Sequence, residues 1–246
     1  VSHEGWYLTS DQSSIRERWG GWYVTGTHGD QRHMGNLVVT DPTDRSQFNL
    51  SRGANVIALD TLIDTGPYLG KHSDIVALLI LEHQVYVQTL ITRLNGEAQS
   101  ALHEQETVGS DDKPRATMKR IEDAAEQLVR AMLFVGEAPL EGPIKGTSDF
   151  SSRFMSRGRI DGKGRSLREL DLEERLFRYP LSYLIYSEAF DALPGPARDY
   201  VYWRLREVLG GRDRNEEFSH LSGADRTAIL ELLEATKPTF AASLGA

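Results

Sequence analysis

The pattern of apolar and polar positions separates an irregular opening segment from a helical remainder. The first 70 residues are rich in Gly, Thr, Asp and aromatic residues, and short runs such as GWYVTG and NLVVTD indicate strands or extended stretches between loops. From about Gly70, apolar residues cover most of a helix circumference through IVALLILEHQVYVQTLITRL. This pattern predicts a long helix buried at the centre of the fold.

A second helix is predicted over about residues 114–135, opened by Pro114 and ending near Gly136. Its apolar residues, among them Ile121, Leu128 and Met132, form one stripe. The polar break between the two helices is short, which predicts an antiparallel αα-hairpin.

Further helices are predicted in the C-terminal part of the chain. A short helix starts at Ser148 or Asp149, and Ser166 with Glu169 has capping-box spacing for a helix LRELDLEERLFR. LSYLIYSEAFDAL, PGPARDYVYWRLREVLGG and GADRTAILELLEATK, the last capped by Ser222, complete the set. We therefore predict a mainly α fold, with a helical bundle-like body over 71–246 and an irregular, partly extended segment over 1–70. The segment packs on the body, and we expect one structural unit.

Charge and hydropathy limit the classes of binding partner that this chain can have. The net charge of −8 and the pI near 5.4 oppose an extended phosphate-binding surface, so we predict no nucleic-acid partner. Residues 153–168 concentrate five Arg and one Lys, which favours a solvated loop over an anion site. The longest apolar run, IVALLIL, is too short to span a bilayer, so we predict no transmembrane segment.

The absence of cysteine removes several kinds of chemistry. Disulfides, thiolate nucleophiles, cysteine-ligated zinc, iron–sulfur clusters and covalent haem attachment through CxxCH are excluded within these residues. Walker A, GxSxG, HExxH and Rossmann glycine patterns are also missing, so no motif marks a catalytic residue.

The stretch WGGWYVTGTHGDQRHMGN, residues 19–36, holds the densest set of ligand-type side chains. Imidazole and thioether groups are frequent axial ligands of haem, which makes His28, His33 and Met34 candidates. The glycines would let the backbone approach a flat cofactor, with Trp22 as a wall. A structural turn with polar histidines explains the same residues, and both interpretations stay open.

Two further histidines are placed on the long predicted helix. His72 and His83 lie eleven residues apart, on one face but about 16 Å apart along the axis, too far to share one ion. His83 follows Glu82 in LEHQ, within a helix otherwise suited to burial. A core histidine bonded to a carbonyl or carboxylate is the simpler interpretation, and a ligand role is the alternative. The candidate metal ligands are thus His28, His33, His72 and His83, and the candidate cofactor contacts are His28, His33, Met34, Trp22 and His83.

Five segments together resemble a group of bacterial cytochrome-c-like proteins. They are RWGGWYVTGTHGDQRHMGN, HSDIVALLILEHQ, APLEGPIKGTSDF, GRSLRELDLEERLFRYPLSYLIYSEAFDALP and YVYWRLREVL, and the resemblance extends from about residue 8 to 238. It implies that longer relatives carry a CxxCH motif upstream of the tryptophan-rich segment, preceded by an export signal. Neither occurs in this chain, which begins at Val1, so we expect the downstream part of a longer or processed protein.

The resemblance sets the first functional hypothesis. It implies a haem-associated domain of an exported, periplasmic c-type cytochrome-like protein that takes part in electron transfer or small-molecule redox chemistry. The cofactor would be haem c held elsewhere, with an axial His or Met from this chain, and the partner would be a redox protein. The alternative is a non-catalytic helical interaction or scaffold domain, whose aromatic helices over 181–208 bury a partner. A metal-dependent enzyme that pairs His33 with Asp30 is the third hypothesis.

Overall fold

The computed structural model describes residues 9–37, 39, 41, 43–47, 49–107 and 113–243. The chain forms two compact units, each assembled from separate stretches of sequence. The first unit comprises Val1–His83, Gly136–Arg157 and Leu170–Leu176, and the second comprises Gln84–Val135, Gly158–Glu169 and Phe177–Ala246. The boundary at residue 70 and the single unit over 71–246 remain predictions.

The mainly α prediction is confirmed, and no β-strand forms among the residues described. Short 3-10 turns lie at Ile15–Glu17, Arg45–Gln47, Leu50–Gly53, Leu59–Thr61, Tyr183–Tyr186 and Glu216–Phe218. The α-helices are α1 (Ile75–Thr107), α2 (Lys113–Met132), α3 (Phe150–Ser156), α4 (Glu188–Asp191), α5 (Gly195–Leu209), α6 (Gly223–Thr236) and α7 (Pro238–Ala242).

Within the second unit, α2 and the part of α1 that follows His83 form the antiparallel hairpin that the short linker predicts. Arg93 Nη1 donates to Gln127 Oε1 at 3.0 Å, and further along α1 the carbonyl of Ala101 accepts from Thr117 Oγ1 at 3.4 Å. The residue numbers rise along one helix as they fall along the other. Side chains at the helix surfaces therefore fix the direction and register of the pair.

The rest of the second unit packs helix on helix, α2 against α5, α5 against α6, and α6 against α7. The Tyr202 ring contacts Phe190 in a tilted arrangement and Phe240 edge to face, with ring centroids 5.7 and 5.4 Å away, and all three side chains are buried. Of the six aromatic residues between 181 and 208, Tyr183, Phe190 and Tyr202 are buried in the core of this unit, while Trp203 is 51% exposed.

Predicted helix ends are confirmed where capping signals and apolar periodicity agree. α5 starts after Pro194 and is capped by Gly210, and α6 starts at a complete capping box between Ser222 and Asp225.

The helix predicted from LRELDLEERLFR is wrong. Ser166 N–H does donate to Glu169 Oε1 at 2.7 Å, yet only a turn follows. Asp171 Oδ1 accepts from the N–H groups of Glu173 and Glu174, and Leu172 has a φ of +63°. These local bonds and the left-handed backbone replace the helical ladder, since a short polar side chain competes for backbone groups. LSYLIYSEAFDAL likewise forms a 3-10 turn and the short α4 instead of one helix.

The strands predicted in the opening segment are also corrected. In GWYVTG, Thr25 makes only an isolated parallel bridge with Asp74, and the following Thr27 bridges Lys145 in antiparallel fashion. In NLVVTD, Val38 and Thr40 lie outside the described residues. The described part of the opening segment thus consists of loops and 3-10 turns, and single bridges join it to Asp74 and Lys145.

The Asp74 carboxylate, just before α1, binds both the start of this helix and a loop of the same unit. Its Oδ1 atom accepts from Val76 N–H at 2.9 Å, and its Oδ2 atom accepts from the N–H groups of Thr147 and Ser148 at 3.0 and 2.9 Å. At Gly146, an added Cβ would lie 2.4 Å from Asp74 Oδ1, so only glycine allows this approach. One carboxylate therefore caps the helix and holds the loop 146–148 against it.

By length and composition, α1 is the one helix in the described part of the chain that is apolar enough to cross a membrane. An 18-residue window within it has a mean hydropathy of 1.5, and 50% of that window is buried inside the protein. Because a buried core helix has the same properties, this is weak evidence for a membrane span.

Candidate functional site

Two asparagines hold the opening loop 19–36 in place within the first unit. Asn36 Oδ1 accepts from Val24 N–H at 2.8 Å, and its Nδ2 donates to the carbonyls of Val24 and Gly53 at 2.7 and 2.9 Å. Asn55 Oδ1 accepts from His28 N–H at 2.7 Å. Both residues have a positive φ, a backbone region that asparagine tolerates better than most side chains.

The loop brings His28 and His33 together, beside Trp19. The ring centroids of His28 and His33 lie 4.9 Å apart, and those of Trp19 and His33 lie 5.6 Å apart, both edge to face. His28 is 1% exposed, His33 is 3% exposed and Trp19 is 5% exposed. Trp19 also has a φ of +65°, which is uncommon for a bulky residue and is held by this packing.

Burial keeps both imidazoles neutral near pH 7. Desolvation lowers the pKa of His28, and desolvation with a smaller contribution from His28 lowers the pKa of His33 to about 4. Each ring has one nitrogen that accepts from the backbone: Asn55 N–H donates to His28 Nε2 and Gly35 N–H donates to His33 Nδ1, both at 3.0 Å.

Met34 and Trp22, the other two candidates of this loop, lie at the surface. Their side chains are 43% and 55% exposed. The loop therefore divides into a buried pair of imidazoles and an exposed apolar pair.

His72 does not lie on α1 as predicted, because the helix starts three residues later at Ile75. It is exposed, and its Nδ1 lies 3.2 Å from Thr147 Oγ1. Thr147 Oγ1 lies in turn 2.7 Å from Thr25 Oγ1. Asp74, which binds the Thr147 backbone, thereby positions the hydroxyl that orients the His72 ring.

His72 lines a pocket of about 400 Å³ in the first unit. Tyr68 is 64% exposed, and Tyr23 is 37% exposed. The pocket is apolar except for its threonine, the tyrosine hydroxyls and this imidazole, and its lining includes Tyr23, Leu59, Ile63, Tyr68, Leu69 and His72.

His83 is fully buried on α1, and its Nδ1 lies 2.7 Å from Asp11 Oδ2. The structure thus shows this histidine bonded to a carboxylate. Glu82, beside it, accepts from Arg18 at 2.8 Å, and Arg18 also donates to the carbonyl of Ser13. The ion pair and the histidine together make a buried polar network between the N-terminal segment and α1.

Glu137 belongs to the same unit and carries no signal in the sequence. Burial, with a smaller contribution from the charge of Asp11, raises its pKa to about 7. Its Oε1 atom accepts from Leu176 N–H at 2.9 Å. Glu137 is therefore an acid that titrates near neutral pH in the folded protein.

The described residues form no metal-binding cluster, and several cations of the basic segment are paired. Within the described residues, no group of three His, Asp or Glu side chains is placed to hold a metal ion. In the basic segment 153–168, Arg165 and Lys163 pair with Glu231, and Arg153 pairs with Asp149.

No family model matches the chain, and no curated protein or solved structure matches it either.

Proposed function

We propose that the first unit is a haem-associated domain that offers the His72 imidazole to a haem held elsewhere, for electron transfer or small-molecule redox chemistry. One observation carries the proposal, which is the position of His72 on an apolar pocket of about 400 Å³. Cofactor sites are usually concave and apolar, with a few polar groups at fixed positions. A pocket of this volume accommodates part of a macrocycle, as a shared site requires.

Accessibility selects His72 among the four candidate histidines. His28, His33 and His83 are each 3% exposed or less, while His72 is exposed. A ligand for a cofactor that this chain does not attach must be reachable from outside. His28, His33 and His83 instead support the first unit from within.

Thr147 is the positioning residue in this proposal. If the His72 Nδ1–H group donates to Thr147 Oγ1, Nε2 keeps its lone pair and is the nitrogen available to a metal. The second hydroxyl, of Thr25, supports this arrangement by pairing with Thr147. A bound haem would supply one-electron transfer, while the residues of this chain orient the ligand and exclude water from one side.

The first unit exposes apolar side chains that a protein-bound cofactor could contact. Met34 and Trp22 are exposed on the same unit, and Tyr68 is largely exposed at the pocket itself. A redox partner protein and export to the periplasm belong to this proposal through the resemblance to cytochrome-c-like proteins.

Haem titration tests the proposal. Adding ferric protoporphyrin IX to the wild-type chain should give a saturable Soret shift, which H72A removes and external imidazole restores. H103A changes an exposed histidine on α1 and should bind like the wild type. No Soret shift with wild type, or equal binding by H72A, would overturn the proposal.

The scaffold alternative rests on Trp203 of α5, which is 51% exposed with the Arg204 guanidinium 5.7 Å from its ring. Exposed Trp and Arg side chains are enriched at protein interfaces. In this alternative, W203A weakens self-association measured by light scattering, whereas W22A does not. A wild-type monomer that binds no partner protein contradicts it.

A further inference from the structure

Two buried N–H groups in the Trp19, His28 and His33 cluster have no acceptor. Trp19 Nε1 and His28 Nδ1 are both buried without a hydrogen-bond partner in the part of the chain that the structure describes. A buried donor left unpaired costs about 1–3 kcal/mol. Native proteins usually satisfy such a group with another residue, a water molecule or an ion.

The backbone contacts fix which ring nitrogens are donors. Because Asn55 N–H donates to His28 Nε2, the neutral His28 ring carries its hydrogen on Nδ1. Because Gly35 N–H donates to His33 Nδ1, the neutral His33 ring carries its hydrogen on Nε2. The remaining nitrogen of each imidazole is therefore a donor with no lone pair for a metal ion.

The Arg32 guanidinium is a cation near the cluster, and its Nη2 atom lies 3.7 Å from Asp30 Oδ1. The Arg32 guanidinium lowers the pKa of both His28 and His33, so its charge acts on both rings. It also donates to the Gly29 carbonyl at 2.9 Å, which keeps it beside the loop. Desolvation lowers the pKa of His28, the backbone groups of Gln31 and of His28 itself raise it, and Nδ1 has no hydrogen-bond partner among the described residues.

We infer that Trp19, His28 and His33 hold one small anion of halide size. The ring N–H groups supply donors, and the nearby guanidinium supplies a favourable potential. A buried water molecule is the other occupant that satisfies such donors, and diffraction distinguishes the two. The three residues are at most 5% exposed, so an ion bound to them would be buried as well.

Bromide diffraction tests the site directly in the wild-type chain. Crystals grown in sodium bromide should show an anomalous difference peak within hydrogen-bond distance of Trp19 Nε1 and His28 Nδ1. A water molecule at that position overturns the inference. So does the absence of any density, which would mean that the N–H groups point at ring faces.

A solution experiment tests the same site without crystals. Titration with sodium chloride, at an ionic strength held constant with sodium gluconate, should shift the Trp19 Nε1–H resonance saturably. The exposed Trp203 indole serves as an internal control and should not shift. H28F should weaken the response several-fold, and H103F, at an exposed position, should leave it unchanged. No saturable shift in the wild type overturns the inference, whether or not H28F folds.

Discussion

Asp11 Oδ2 lies 2.7 Å from His83 Nδ1, and neither side chain is more than 5% exposed. The two residues are 72 positions apart in the sequence. This contact ties the N-terminal segment to the first turns of α1, and it does so with polar groups that water cannot reach.

Removal of Asp11 should therefore destabilise the first unit strongly. D11A removes the hydrogen bond that the Asp11 carboxylate makes to the buried His83, and loss of a partner at a buried polar group costs about 1–3 kcal/mol. Urea unfolding monitored by circular dichroism measures the change in the free energy of unfolding. D30A is the matched control because the Asp30 side chain is fully exposed, and it should change stability by less than about 0.5 kcal/mol. Equal effects of the two variants would contradict the role given to Asp11.

Glu137 should make the first unit less stable as the pH rises toward 7. Its pKa is about 7 in the folded protein against an ordinary value of 4.5, so the folded state retains a proton that the unfolded state releases. The stability is fully present below pH 4.5 and falls by about 3 kcal/mol as the pH passes 7. E137Q should remove this fall in denaturation measured from pH 4.5 to 8. Between pH 4.5 and 6.5 the free energy of unfolding should therefore rise with pH in the variant, while it stays nearly constant in the wild type because His33 acts in the opposite direction. E141Q, at a largely exposed glutamate of the same unit, should behave like the wild type, and a wild-type slope in E137Q would refute the assignment.

His33 should make the first unit less stable as the pH falls, which is the opposite of the Glu137 effect. Its pKa is lowered from 6.5 to about 4, so its contribution is complete above pH 6.5 and is lost as the pH falls through 4. The loss is about 3 kcal/mol for the first unit. Because the His33 and Glu137 effects oppose one another between pH 4.5 and 6.5, they largely cancel there in the wild type.

H33F tests this prediction because it keeps a ring and removes the titration. Between pH 4.5 and 6.5, the free energy of unfolding of H33F should fall as the pH rises, because only the Glu137 effect remains, while that of the wild type stays nearly constant. This comparison holds whatever the change in absolute stability. Titration of the ring by NMR gives the pKa independently. A His33 pKa near 6.5 in the folded protein would show that the prediction is wrong.

N36A should loosen the opening loop. The variant removes three hydrogen bonds to Val24 and Gly53 and places alanine at a φ of +63°. We expect a loss of about 2–4 kcal/mol, and faster amide hydrogen exchange at Val24. N95A, on α1, removes only an exposed contact with Gln99 and should change stability by less than about 0.5 kcal/mol. If the rate of amide hydrogen exchange at Val24 is unchanged in N36A, the Asn36 side chain does not hold the loop in place.

Helices whose ends carry local signals were predictable from the sequence. α5 follows a proline and ends at Gly210, and α6 starts at the Ser222 capping box. The segment after Ser166 has equally good spacing but forms a turn, because Asp171 binds its own neighbouring N–H groups. Capping residues predict where a helix can start, and the next few residues decide whether it continues.

The surroundings of the candidate histidines were only partly predictable, because they depend on contacts between distant parts of the sequence. His28 and His33 stand out by their residue type, and the structure does bring their rings together. Asn55 and Thr147 were missed, since each contacts a histidine 27 or 75 positions away. Sequence spacing carries no information about such contacts, and polar side chains in loops look alike until the fold joins them.

The interleaving of the two units has a consequence for synthesis on the ribosome. Asp74 is made early, but the loop that its carboxylate holds, at Thr147 and Ser148, emerges more than 70 residues later. The first unit also needs Leu170–Leu176, so it is completed only after the whole of the second unit's α2 has left the exit tunnel. A truncation at any single point would therefore remove part of both units or leave one of them incomplete. Shortened variants of this chain should be designed by joining segments, because no simple cut releases the first unit intact.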